Sequence, residues 1–333
     1  MGLVSINANA KVNFSIDVKG FAENGYHLVD MIMQTINVYD RVILYTPDAI
    51  DNLREDLIAE IAKCKRRYDE RIAALIARGV PIRPSDPSDN IIFTCTNPRL
   101  PADSKNLAYQ AALIMKKMAG YTGKLGVHIK KNIPVGGGMG GGSADAAATL
   151  VGLNRLFGLE LTTEQLMDIG KPLGSDIPFL IMGGTALATG TGTDLRPIPS
   201  LTNGYLLVVN PGIFISTEKV YEKLDHMKLS PESHPDTEAL LAAIENNDVA
   251  EFAPNMKNVL EKPAFEIEPQ LMVLKKKILA TEPLGAMMSG SGSTIFAIYD
   301  SREEVQKAYR QFKNPQMFTV ITDLHTVPKF FAE

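Results

Sequence analysis

Three features of the 333-residue sequence predict an α+β fold. Residues 11–18, Lys-Val-Asn-Phe-Ser-Ile-Asp-Val, alternate polar and apolar, the period-2 mark of a half-buried strand. Within 51–79, Leu57, Ile61, Cys64, Tyr68, Ile72 and Leu75 recur at spacings of three and four, as the stripe of one amphipathic helix does. Elsewhere strand-like and helix-like stretches alternate irregularly rather than as a pure βαβ array.

In chain order, the opening strand places Lys11 and Asn13 side by side on its polar face. A turn follows at Gly20, Asn24 and Gly25, then Tyr26-His27, then a strand at 41–45. The 51–79 helix and the return through Pro81, Pro84 and Pro87 read as an arm, 51–90, inserted between strands and packed on its own domain. A helix at 104–118, with Ser104 as N-cap, precedes a strand at 125–129. A helix starting near Ser143 and another at 163–171 lead to the turn Gly174-Ser175-Asp176-Ile177-Pro178. Strands are expected at 185–189, 205–209 and 294–299, and helices near 217–224, 236–245, 268–281 and 302–312.

Composition narrows the function. Apolar residues make up 45% and charged residues 22%, which excludes disordered, collagen-like and membrane-embedded chains. A net charge of −4 gives no global basic field, so an anion would need a local site. Cys64 and Cys95 are too few for a disulfide scaffold or a structural zinc site. No apolar run reaches the roughly 20 residues of a membrane span. The first residues lack the apolar core of a signal peptide, and Ile6 stands where N-myristoylation needs Ser or Thr. A cytoplasmic protein without nucleic-acid or membrane partners is expected.

Six of the seven residues 136–142 are glycine, between a strand and a helix. Such a loop lets backbone approach a ligand closely, and the helix beyond it presents unpaired N–H groups and a partial positive charge. The combination is an anion cradle suited to phosphates. It is not a G-x-x-x-x-G-K-[ST] loop. Gly136, Gly138 and Gly141 satisfy G-x-G-x-x-G, which leaves a nicotinamide-binding oxidoreductase as one reading. The second parallel strand such a fold needs is missing, because another helical pattern follows.

The loop and its flanks, Pro134, Val135, Gly136, Gly137, Gly138, Met139, Gly140, Gly141, Gly142, Ser143 and Ala144, resemble the phosphate loop of the GHMP kinase superfamily, with Met139 for the usual leucine. Ala10-Lys11-Val12-Asn13, the segment Gly174 to Phe179, and Ser289-Gly290-Ser291-Gly292 resemble three further motifs in the expected order. Asn24-Gly25-Tyr26-His27, the segment Gly183 to Gly190, and Pro211-Gly212-Ile213 with Ser216 to Tyr221 resemble one subgroup. Its members phosphorylate the 2-hydroxyl of a cytidine-diphospho polyol in non-mevalonate isoprenoid synthesis. The likeness covers most of the chain outside 47–100. The arm is longer than the family norm, and Phe214-Ile215 reads as a small insertion.

The resemblance implies a GHMP kinase fold: an N-terminal α/β domain of ribosomal-protein-S5 type (1–182) and a ferredoxin-like α+β domain (183–333), with a cleft between them. It implies ATP and Mg²⁺ as cofactors and the polyol as substrate, and leaves a homodimer open. Asp176 would be the general base and Lys11 the catalytic cation. Taken alone, Asp176 reads equally well as a helix N-cap and Lys11 as a solvated strand residue. Residues 134–144 would bind ATP, and Ser143 would also contact Mg²⁺. Asn13, Tyr26, His27, Tyr221, Ser289, Gly290, Ser291 and Gly292 would bind substrate, the two tyrosines holding a pyrimidine by its faces and His27 by its edge. Homoserine, mevalonate or sugar kinases are the nearest alternatives. A non-catalytic nucleotide-binding scaffold is another.

Overall fold

In the computed structural model, residues 2–23, 25–78 and 87–324 are described. The chain opens with two 19-residue strands, β1 (Leu3–Phe21) and β2 (His27–Tyr45), paired antiparallel. Then come α1 (Glu55–Ala77), β3 (Ile91–Cys95), α2 (Leu107–Met118), β4 (Leu125–Lys130) and α3 (Gly141–Phe157). The helices α4 (Thr163–Gly170) and α5 (Asp176–Met182) precede β5 (Thr185–Thr189) and β6 (Asp194–Ile198). The strands form one sheet in the order β3-β4-β2-β5-β6, with β1 also on β2, and only β3 and β4 run parallel.

The sheet's two faces are read from β2. Val42 and Leu44 join the main core with α2 to α5, whereas Ile43 and Tyr45 point the other way and are covered by Leu53, Leu57 and Ile61. The arm is therefore a helix on its own domain, sealing the second face of the sheet. Its docking is partly polar. Glu60 binds Lys130 at 2.6 Å and lies 3.4 Å from the buried His128 ring. Tyr68 and Arg71 reach the 97–102 loop, where Arg71 donates to the Pro98 carbonyl at 2.6 Å. Pro81 and Pro84 lie outside the described residues.

The second half contains β7 (Tyr205–Asn210), α6 (Thr217–Asp225), α7 (Thr237–Glu245), α8 (Val249–Asn255), α9 (Glu261–Ile267), α10 (Pro269–Leu279), β8 (Gly285–Met288), β9 (Ile295–Tyr299), α11 (Arg302–Phe312) and β10 (Phe318–Asp323). Its antiparallel sheet has the order β10-β7-β9-β8. Leu207, Val209, Ile295 and Ala297 face α6, α9, α10 and α11; Leu206, Val208, Phe296 and Ile298 face the first half. There Phe14 of β1 meets Phe252 edge-on at 5.2 Å and Phe296 at 5.8 Å. Burying an aromatic side chain contributes roughly 1.5–3 kcal/mol, so these rings lock the halves together.

That packing corrects the half-buried reading of 11–18. Lys11, Asn13, Ser15 and Asp17 are buried along with Val12, Phe14 and Ile16. The second half lies along β1: Ile16 exchanges backbone hydrogen bonds with Lys257 and Val259, and Asn13 N–H donates to Ser289 Oγ. The polar face of β1 is thus an interior wall.

Three boundaries move. Asn106, not Ser104, caps α2, accepting from Ala108 N–H at 3.0 Å. α3 starts at Gly141, two residues before Ser143, after Gly140 in the left-handed region. β5 and β6 follow residue 182 yet pair within the first sheet, so we propose 199–204 as the division between domains.

Candidate active site

A cavity of about 1000 Å³ opens between the two halves, lined by β1, the glycine loop, the 100–107 loop, the start of α5, α6 and the 290–291 turn. Lys11 and Asp176 meet inside it. Lys11 Nζ lies 3.5 Å from Asp176 Oδ2 and donates to Asn13 Oδ1 at 2.7 Å. The lysine is buried and the aspartate partly open to the cavity. Asp176 is the first residue of α5, and no side chain caps that helix. Its carboxylate faces the lysine, which discards the N-cap reading.

The glycine loop is held on both sides. Lys11 N–H donates to the Met139 carbonyl and Thr294 N–H to that of Gly137. Gly136, Gly138 and Gly140 adopt positive φ, which a glycine accepts without strain. Pro134 to Gly138 and Gly140 to Ser143 line the cavity. Met139 and Ala144 do not. Their side chains are buried in the core, so only their backbones belong to the cradle.

Below the start of α3, Lys131 bridges two buried carboxylates, Asp40 and, at 2.7 Å, Asp145. Asp40 also accepts from Ile133 N–H at 2.8 Å, fixing the segment that joins β4 to the glycine loop. Burial lowers the Lys131 pKa, but the two carboxylates outweigh it and hold the lysine charged. Burial pushes the Asp145 carboxyl up to about 8; Lys131 opposes the shift, and Asp40 adds to it. The second oxygen, Asp145 Oδ1, is buried without a hydrogen-bond partner.

At the far end Tyr26, His27, Tyr221 and Asp225 line the cavity. The His27 ring lies 4.6 Å from Tyr221 and 4.7 Å from Phe21. Tyr26 is 68% exposed. One Tyr221 contact is thus already taken by His27, rather than the two tyrosines standing as an open pair. Burial, and then the Asp176 charge, push the Tyr221 hydroxyl up to about 12. Asn24 lies outside the described residues.

Ser291 and Gly290 reach the cavity, but Ser289 and Gly292 do not. Ser289 is fully buried and donates to the Gly138 carbonyl at 2.9 Å. That bond braces the phosphate loop. Sequence reasoning missed Asp40, Lys131, Phe21 and Asp225. Asp145 carries a visible signal, a charge inside the alanine-rich run 144–148. Asp225 carries a weaker one, standing one helical turn after Tyr221.

The models for the GHMP kinases N terminal domain and the GHMP kinases C terminal domain match residues 106–184 and 240–316. The 4-diphosphocytidyl-2-C-methyl-D-erythritol kinase of Alkaliphilus metalliredigens is 37% identical, covering 93% of this chain and 92% of its own. That of Clostridium botulinum is 35% identical over 96% and 99%. The chain belongs to the 4-diphosphocytidyl-2-C-methyl-D-erythritol kinase family. A solved kinase of this family superposes with a TM-score of 0.69 at 26% identity, over 96% of this chain and 99% of that one. A homoserine kinase from Cytophaga hutchinsonii (TM-score 0.68, 19% identity, 98% of this chain and 95% of that one) shares the fold. The chain is accordingly an ATP-dependent small-molecule kinase with the GHMP fold.

Proposed function

We propose that this GHMP kinase transfers the γ-phosphoryl group of ATP to the 2-hydroxyl of 4-diphosphocytidyl-2-C-methyl-D-erythritol. The observation that carries the reading is the Lys11–Asp176 pair, 3.5 Å apart, in a cavity with a phosphate cradle at one side and aromatic rings at the other.

Phosphoryl transfer asks the protein for positioning and charge stabilisation. The N–H groups of the glycine loop and of the first turn of α3 hold the triphosphate. The Asp176 carboxylate takes the proton of the substrate hydroxyl as its oxygen bonds to the γ-phosphorus and the bond to ADP breaks. Lys11, 3.5 Å from Asp176, faces the charge spreading over the transferred group. Asn13 holds the lysine head and so sets its direction.

Mg²⁺ fits the donors present as a guest of the nucleotide. Among the described residues no cluster of three His, Cys, Asp or Glu side chains is placed to hold a metal. The Ser143 hydroxyl, at the cavity wall, is the protein oxygen that would hold it. When bound, the ion neutralises phosphate charge. Among the described residues no helix is long and apolar enough to cross a membrane.

The test is ADP release from ATP and Mg²⁺ with the cytidine-diphospho polyol, each component omitted in turn. Turnover is expected only with all three. Turnover on homoserine or mevalonate in place of the polyol would overturn the substrate assignment.

A further inference from the structure

His27 packs against Phe21 and Tyr221, so its ring is oriented before any ligand arrives. Its Nε2 lies 2.7 Å from Asp225 Oδ1. Asp225 ends α6, four residues after Tyr221, and helical spacing puts the two on one face. Both side chains of the pair remain partly open, His27 at 18% and Asp225 at 32%.

The hydrogen-bond inventory of this pair is one-sided. An ionised carboxylate only accepts. At 2.7 Å the contact is made by the tautomer that carries N–H on Nε2, and that tautomer leaves the Nδ1 lone pair open. Among the described residues no protein group bonds Nδ1 or the second oxygen of Asp225. Both atoms are therefore free acceptors at the end of the cavity away from the glycine loop.

Resting on the activity proposed above, we infer that Asp225 is a positioning residue that makes this wall accept only, and thereby selects a cytosine base over uracil. Cytosine carries an exocyclic amino donor where uracil carries a carbonyl acceptor. The amino group satisfies a free lone pair of the His27–Asp225 pair. The carbonyl of uracil would face that lone pair with nothing between them, and a polar site left unpaired rejects its ligand strongly.

The experiment compares kcat/KM for the cytidine-diphospho polyol and its uridine counterpart in the wild type, Asp225→Asn and Asp225→Glu. The wild type should prefer the cytidine substrate. Asp225→Asn keeps the size but adds two N–H donors, and should lower the cytidine-to-uridine ratio by about tenfold or more. The change should lie in KM for the cytidine substrate, with kcat and KM for ATP held. Asp225→Glu should restore part of the ratio, which a loss of packing alone would not do. Nitrogen-15 NMR of the histidine side chains, with His27 assigned by its absence in His27→Gln, should show the tautomer with its proton on Nε2. An unchanged ratio in Asp225→Asn, or a His27 ring protonated on Nδ1 or on both nitrogens, overturns the inference. Failure of the wild type to use the cytidine substrate would instead count against the proposed activity.

Discussion

Gly138 runs directly beneath Ser289, and the two backbones leave no room for a side chain between them. A β-carbon on Gly138 would come within 3.0 Å of the Gly292 carbonyl oxygen and closer still to that of Ser289. The Ser289 hydroxyl ties the same spot from above, donating to Gly138 O. The second half of the chain thus clamps the phosphate loop that the first half supplies.

Gly138→Ala should therefore damage both stability and nucleotide binding. The clash is with backbone, and φ there is +74°, a strained value for alanine. Overpacking of this kind costs about 1–3 kcal/mol. Displacing the loop should raise KM for ATP by about tenfold or more. Thermal unfolding and steady-state kinetics with varied ATP measure the two effects. A variant with wild-type KM for ATP would show that the clamp does not set the loop.

Burial of the Asp145 carboxyl beside Lys131 makes stability fall as pH rises. Asp145 has its folded pKa raised to about 8, chiefly by burial. Its contribution is complete below the ordinary carboxylate value of about 4 and is lost as pH rises through the folded value. Asp145→Asn fixes the neutral form. Between pH about 5 and about 8.5 the wild type should lose unfolding free energy relative to this variant, measured by urea denaturation. A difference that stays constant or grows in favour of the wild type would contradict the assignment. Lys131→Met should cost about 3–5 kcal/mol by leaving Asp40 and Asp145 buried without a cation.

The arm braces a loop that lines the cavity. Arg71 holds the Pro98 carbonyl, and two residues further on Leu100 and Pro101 line the cavity wall. Arg71→Ala should raise KM for ATP several-fold while kcat and KM for the polyol stay put. Equal rises in both KM values would place the wall elsewhere.

Much of this site was legible because its parts are local. Lys11 and Asn13 sit two apart on a strand, and the glycine run announces its own backbone freedom. Asp176 became readable through the motif around it. What stayed hidden depends on distant packing. Lys131 lies 91 residues from Asp40, and only the fold makes them partners. The burial of the polar face of β1 required the second half to lie on it. Ser289 belonged to a glycine-rich turn whose spacing does not say which residue faces the ligand. The seven-residue helices α8 and α9 escaped because each is short and contains a proline, Pro254 and Pro263. β8 is four residues long and begins with a glycine pressed against the Ala253 backbone, too brief for periodicity to register.

The pairing of Lys11 with Asp176 is the centre of the proposed chemistry, and its most direct test is the turnover number of Asp176→Asn beside its affinity for ATP. The carboxamide keeps the shape and loses the base. A fall in kcat of about 10²–10⁴-fold, with ATP binding by calorimetry unchanged, is the expected result, and Lys11→Met should behave alike. A kcat near that of the wild type in a variant that binds ATP normally would contradict the assignment of Asp176 as the base.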